Sequence, residues 1–509
     1  MSQLAPKWVF TLSGSQSSDG ISATPTVSDN AVYFPAWDGN LYSVNATTGV
    51  ANWQEPISNY DGTPGEVSRN SPLVLGNELI LGDNAPGPQS AGAQVFAVNR
   101  ADGSKLWSTT VDTNQDAIIT SSPVAYGNEI VVGVASNEEA DAAVLPGYQC
   151  CTFRGAVVAL DATTGKLLWK TYTVPSNTKA GGDSNAPCAG SKQPTGPYGC
   201  GYTGGAVWAT PTILPSTNQV FVGTGNNYTT PDAAEACAQY DQSQSPPVDD
   251  SNCTASNDYF DSVMALNLKS GAVEWGHKVQ GYDAWTVACA YGQAPGATWC
   301  PSPNSPDFDF GGSSPNLITI NNGGGNPQTY VGDGQKSGVY WVFNPANGKI
   351  VWDTLVGAGT SLGGIEWGSA SDGQQLYVPI SDFGGPQYGL EGNPSDLISG
   401  GSWAGLNPMT GAFNWQTPTP DGNPALGPVS VANGVMYGES MNPGNGPNMF
   451  ALNAATGQVL WSYNSGASVI GGASIVDGTV YWGSGYTHLG SFLPFTGNDK
   501  LYAFTLGGK

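Results

Sequence analysis

A glycine followed four residues later by a tryptophan closes the same kind of segment seven times along this chain: LYSVNATTGVANW (41–53), VFAVNRADGSKLW (95–107), VVALDATTGKLLW (157–169), VMALNLKSGAVEW (263–275), VYWVFNPANGKIVW (339–352), SWAGLNPMTGAFNW (402–415) and MFALNAATGQVLW (449–461). Each copy alternates apolar and polar residues, turns before the glycine and resumes with an apolar residue beside the tryptophan, which is the pattern of a hairpin of two short strands. Upstream of the copies lie further paired stretches of the type SPLVLGNELILG (71–82), SSPVAYGNEIVVG (121–133), GPVSVANGVMYG (427–438) and GGASIVDGTVYWG (471–483). Four strands per unit at a period of 45 residues or more is the arithmetic of a β-propeller.

The two ends set the blade number. The chain begins PKWVF with Trp8 and finishes LYAFTLGGK, a copy that stops before its own tryptophan. If Trp8 supplies the missing tail, the ends share an eighth blade and close the ring. The expectation is an all-β, eight-bladed propeller with four antiparallel strands per blade, a single domain over residues 1–509 with no cytochrome c domain. Eight of the sixteen tryptophans (Trp8, Trp53, Trp107, Trp169, Trp275, Trp352, Trp415 and Trp461) then pack between blades.

With 15 Lys and Arg against 39 Asp and Glu the net charge is −24, and the arginines are Arg69, Arg100 and Arg154 alone. Such a balance excludes nucleic acid and anionic membrane surfaces as partners. No apolar run is long enough to span a bilayer, and the opening MSQLAPKW lacks the basic and apolar regions of a signal peptide, which is expected to be absent or removed. Eight cysteines fall into tight local pairs, Cys150 with Cys151, Cys188 with Cys200, Cys237 with Cys253 and Cys289 with Cys300. They argue for disulfides and a periplasmic or secreted location. Two histidines, His277 and His488, and no CxxC pair speak against a metal cluster, and the lack of CxxCH excludes a c-type haem on this chain.

Successive motif tryptophans are 45, 54, 62, 106, 77, 63 and 46 residues apart, so the excess length falls between Trp107 and Trp415. Insertions in a propeller extend loops on one face, where function resides. The largest, roughly 175–205 and 228–260, carry four of the cysteines and are read as stapled loops that wall a pocket at one end of the central channel. Cys150-Cys151 is the most specific chemical signal, because adjacent cysteines bond to each other only by closing a strained eight-membered ring; the alternative is that each pairs with a distant cysteine.

The stretch NEEADAAVLPGYQCCTFRGAVVALDATTGKLLW, followed in order by GGAVWATP, GTGNN, DAWTVAC, DGQKSGVYWVFN and GGIEWGSASDG, resembles the quinoprotein alcohol dehydrogenases, most of all their polyvinyl-alcohol dehydrogenase branch. The resemblance covers essentially the whole chain. It implies an eight-bladed propeller that binds pyrroloquinoline quinone (PQQ) and calcium, with the quinone held between the Cys150–Cys151 disulfide and Trp208. It also implies cofactor contacts from Arg154 and Lys336, the latter beside the reactive carbonyl, and further contacts from Glu66, Arg69 and Thr120. For the metal it implies Glu138 or Glu139, with Glu139 favoured, together with Asn226 and an aspartate. Here the sequence departs from its relatives: where methanol-type members have a D-x-W-D aspartate, this chain reads Asp283-Ala284-Trp285-Thr286. Asp283 is left either to accept the alcohol proton or to complete the metal shell. The implied reaction is oxidation of a primary or secondary alcohol, polymeric and bulky ones included, with electrons passed to an external acceptor such as a cytochrome c. The alternatives are a non-catalytic propeller that binds partners, and a quinoprotein-like pocket with altered chemistry.

Overall fold

The computed structural model describes residues 3–14, 20–84, 90, 92–145, 148, 150–176, 201–246, 248–291, 300–301, 305–320, 327–488 and 494–509. Eight antiparallel sheets form an eight-bladed propeller, and in seven of them the strands follow one another in chain order. The first blade runs Thr26–Ser28, Ala31–Pro35, Asn40–Asn45 and Ala51–Pro56. Its middle strands are buried along most of their length, whereas the last strand alternates around the half-buried Trp53. A two-residue period on that strand lays one face on the next blade and leaves the other to solvent.

The eighth blade is made from both ends of the chain, as the truncated last repeat implies. Leu4–Thr11 pairs antiparallel with Lys500–Leu506, from Leu4 opposite Leu506 to Thr11 opposite Lys500, with Trp8 opposite Ala503. Lys500–Leu506 then continues through Thr479–Gly483 to Ser474–Val476.

One interaction joins every blade to its neighbour. The indole N–H of each motif tryptophan donates to a backbone carbonyl of the following blade: Trp8 to Ala46, Trp53 to Arg100, Trp107 to Ala162, Trp169 to Leu268, Trp275 to Pro345, Trp352 to Pro408, Trp415 to Ala454 and Trp461 to Leu4, all at 2.8–3.1 Å. The ring of each of the first seven lies on the motif glycine of the blade it reaches. At Gly165, for instance, φ is +68° and an added Cβ would stand 2.4 Å from the Trp107 ring. The repeat therefore pairs a glycine with the tryptophan of the preceding blade, not with its own.

The insertions contribute short helices, Glu138–Val144, Asp232–Gln242 and Val287–Tyr291, of which the first and third pack together. Disulfides join Cys150 to Cys151, Cys237 to Cys253 and Cys289 to Cys300, while the expected Cys188–Cys200 pair lies outside the described residues. Among the described residues no helix is long and apolar enough to cross a membrane.

The glycine–indole contact generates a paired prediction. Gly165→Ala meets both a left-handed backbone and the indole, and should destabilise the protein by about 2 kcal/mol or more. Gly76→Ala, at φ +58° with open space around it, should cost about 1 kcal/mol. Thermal unfolding of the two variants measures the difference, and equal shifts would show that the indole contact carries no weight.

Candidate active site

A cavity of about 410 Å3 forms where the inserted helices meet the central axis. Trp208 is one wall. Its indole lies on the bare backbone of Gly311 and Gly312, where added Cβ atoms would stand 1.8 Å from Nε1 and 2.5 Å from Cη2. The Thr120 hydroxyl donates to the Trp208 carbonyl at 2.9 Å and holds the strand behind the ring. Trp367 meets the indole edge to face at 4.9 Å, and the Arg69 guanidinium stacks over Trp367 at 4.4 Å. All four residues line the cavity.

Opposite the aromatic wall is a buried cluster of charges. Lys336 Nζ is 3.0 Å from Asp307 Oδ2 and 3.5 Å from Asp309 Oδ2, and it sits 5.4 Å over the Trp208 ring and 6.0 Å over Trp285. Burial works against its charge, but Asp307, Asp309, Glu366 and Glu139 outweigh burial and hold the ammonium well above its usual range. Glu139 and Glu366 are pushed up to about 7 by burial, with Lys336 pulling the other way. Asp309 Oδ1 accepts the Gly311 N–H at 3.2 Å, and its carboxylate also meets the Asn226 backbone N–H. The Asn226 side-chain amide donates to the Asn227 and Trp285 carbonyls at 2.9 and 2.8 Å, which leaves its oxygen as the acceptor it offers the cavity. Asp307 Oδ1 is buried with no hydrogen-bond partner among the described residues.

The structure separates the two glutamates that the sequence could not. Glu139 lines the cavity. Glu138 turns away, and its carboxylate takes the backbone N–H groups of Thr152 and Phe153 at 2.6 and 2.8 Å and the Tyr148 hydroxyl at 3.1 Å. It clamps the turn after the cysteine pair and is not placed to bind a metal at the cavity. Burial raises its pKa to about 7, partly offset by those backbone donors.

Other expectations need correction. Asp283 does not line the cavity: it is fully buried behind it, Oδ2 accepting from Gln280 Nε2 at 3.0 Å and from the Phe308 N–H at 3.2 Å, in contact with the Asp261 carboxyl. It supports the segment that carries Asp307 and Asp309, so neither a base nor a metal-ligand role fits its place. Arg154 points elsewhere too, donating to the Val174 carbonyl at 2.7 Å with its guanidinium 3.9 Å over Tyr172, while its neighbour Phe153 is buried in the core. Glu66 accepts the N–H groups of Val67 and Asn84 at 3.0 Å each and joins Asp61 and Asp83, shaping the loop that brings Arg69 to the cavity. The Cys150–Cys151 disulfide is buried in one core cluster with Ile118, Ala135, Ala206 and Tyr228, which themselves line the cavity; it stands behind that wall. Asp307, Asp309, Glu366, Trp285 and Trp367 were not assigned from the sequence, although the alternating acids and aromatics of Asp307-Phe308-Asp309-Phe310, ahead of Gly311-Gly312, were a signal.

A family model described as outer membrane protein assembly factor BamB matches residues 5–146 and 335–503. It omits the middle of the chain, which carries Asp307 and Asp309 of the cavity. A polyvinylalcohol dehydrogenase from Pseudomonas sp is 30% identical over 100% of this chain and 73% of its own length. A quinoprotein alcohol dehydrogenase of Pseudomonas putida is 24% identical over 99% of this chain and 78% of its own. Among solved structures, the quinohemoprotein alcohol dehydrogenase from Comamonas testosteroni superposes with a TM-score of 0.67 at 19% identity, covering 100% of this chain and 77% of the other.

The two glutamates should separate under mutation. Glu138→Gln turns an amide toward backbone donors and should destabilise the fold by about 1–3 kcal/mol. Glu139→Gln should leave thermal stability within about 0.5 kcal/mol or raise it, because a half-buried carboxylate amid other carboxylates is removed. Thermal unfolding without added metal checks both.

Proposed function

Because the chain is a PQQ-repeat propeller belonging to the PQQ-dependent quinoprotein alcohol dehydrogenases, we propose that the cavity between Trp208 and Lys336 holds the quinone with a calcium ion and oxidises a primary or secondary alcohol. The observation that carries this reading is the charge of the cavity. Glu139, Asp307, Asp309 and Glu366 face Arg69 and Lys336 there, four carboxylates against two cations, a formal charge of −2 when all are ionised. A quinone with three carboxylates enters such a site only with a metal cation that offsets the repulsion. The donors suit a hard ion: Glu139, Asp309 and Asn226 all line the cavity and offer it oxygen atoms. The volume of about 410 Å3 accommodates a flat polycyclic ligand against the Trp208 face.

When bound, the quinone would supply a two-electron oxidant for the alcohol and the metal a Lewis acid, the one held against Trp208 and the other by Glu139, Asp309 and Asn226. Asp307 is the base in this reading. Its Oδ1 has no other hydrogen-bond partner among the described residues, it lines the cavity, and although burial holds its carboxyl well above the usual range, Lys336 beside Oδ2 pulls it back towards the ionised form. Lys336 also places a fixed positive charge where negative charge builds up during reaction. Asp283 holds the Phe308 amide and so fixes the spacing of Asp307 and Asp309.

No haem-attachment motif is present in the sequence, and electrons leave to a separate acceptor such as a cytochrome c; the net charge of −24 steers a basic carrier. The disulfides fit a periplasmic or secreted setting. The likeness to a polyvinylalcohol dehydrogenase supports a polymeric or bulky secondary alcohol as substrate.

Purified protein given PQQ and calcium should bind one quinone and reduce a dye in the presence of alcohol, and chelation should stop turnover. Absence of stoichiometric binding would leave the non-catalytic propeller reading in its place. Asp307→Asn should lower kcat by about 10²–10⁴-fold with quinone still bound. Lys336→Ala should raise the barrier by about 2–4 kcal/mol; a change confined to KM would argue against its role at the reacting oxygen.

A further inference from the structure

A second cavity, of about 230 Å3, lies on the axis and shares Arg69, Thr120, Trp208 and Trp367 with the first. Its polarity is the reverse of its neighbour's: no aspartate or glutamate lines it among the described residues, although the chain carries 39 of them. Five blades end their approach to the innermost strand in a Ser-Pro or Thr-Pro pair, at Thr24, Ser71, Ser122, Thr210 and Ser314, and all five hydroxyl residues face this space.

Neighbouring groups have already occupied several of these oxygens. Thr24 Oγ1 accepts the Gly472 N–H at 3.1 Å, Ser122 Oγ the Ser71 N–H at 2.9 Å and Ser314 Oγ the Thr210 N–H at 3.1 Å, each across a blade boundary. Ser22 Oγ accepts the Trp37 indole N–H at 2.9 Å. None of these four hydroxyls donates a hydrogen bond to a described residue, so each still has its hydrogen to give. Together with the Arg69 guanidinium they form a ring of donors around a space without a carboxylate.

The geometry points to a binding site for a small oxyanion, a carboxylate or a phosphate, held by Arg69 and the hydroxyls of Ser22, Thr24, Ser122 and Ser314. Charge-assisted bonds from Arg69 supply affinity, and the hydroxyls satisfy the remaining oxygens. Arg69 is shared with the upper cavity, so the anion and a quinone would draw on the same guanidinium.

Calorimetric titration of the full chain, with and without added quinone, with inorganic phosphate and separately with acetate tests this. Binding of either at about millimolar Kd or tighter is expected, the tighter one identifying the class, with a loss of about tenfold or more in Arg69→Met. Crystals of the unaltered protein soaked in selenate give a check independent of mutation, with anomalous density expected between Arg69 and the hydroxyl ring. Binding of neither anion, affinity unchanged in Arg69→Met, or selenate density elsewhere only, would overturn the proposal, whatever the outcome of the quinone experiment.

Discussion

An indole lying on a glycine, its N–H bonded to a carbonyl of the next blade, is the contact on which the rest of this molecule depends. Sheets packed face to face can slide, because apolar contact is nearly indifferent to small translations. A directed hydrogen bond and a close fit without a side chain are not. Eight such bonds, from Trp8 to Trp461, fix each blade against its successor: that from Trp461 to the Leu4 carbonyl joins the seventh blade to the strand that the start of the chain gives the eighth, and that from Trp8 to the Ala46 carbonyl joins the eighth to the first. The axial cavities exist because that register holds all the way round.

Within this frame the cavity gathers groups that would not coexist in an ordinary core. Three buried carboxylates and that of the half-buried Glu139 lie near one lysine, and their mutual repulsion and loss of hydration are only partly offset by Lys336 and Arg69. A rigid, closed ring tolerates such a concentration of like charge, since no single blade can swing aside to relieve it. The same charge that costs stability gives the site its affinity for a cation.

The ring was legible in the sequence because its signal is one residue to one contact: each motif glycine meets one tryptophan, and the unfinished last repeat meets Trp8. Trp208, Lys336, Asn226 and Glu139 were legible because they stand in motifs outside the repeat. Asp307, the proton acceptor proposed above, was not. The departure from D-x-W-D leaves Asp283 as the carboxylate beside Trp285, but the loop folds so that Trp285 lines the cavity while the Asp283 carboxylate turns to the Phe308 amide. Sequence distance does not say which carboxylate on an irregular loop faces inward. From Asp307, itself at φ +58°, to Phe310, the chain places both acids on the cavity while Phe310 is buried in the core. Beside Arg154, likewise, it is the neighbouring Phe153 that is buried in the core.

The segment from Asp307 to Gly312 carries Asp307, Asp309 and, within three residues, the two glycines on which the Trp208 ring rests. The acid groups and the glycine bed beneath the aromatic ring are therefore mounted on one short stretch of backbone, so a substitution that shifts this stretch disturbs the charges and the seat of the Trp208 ring together.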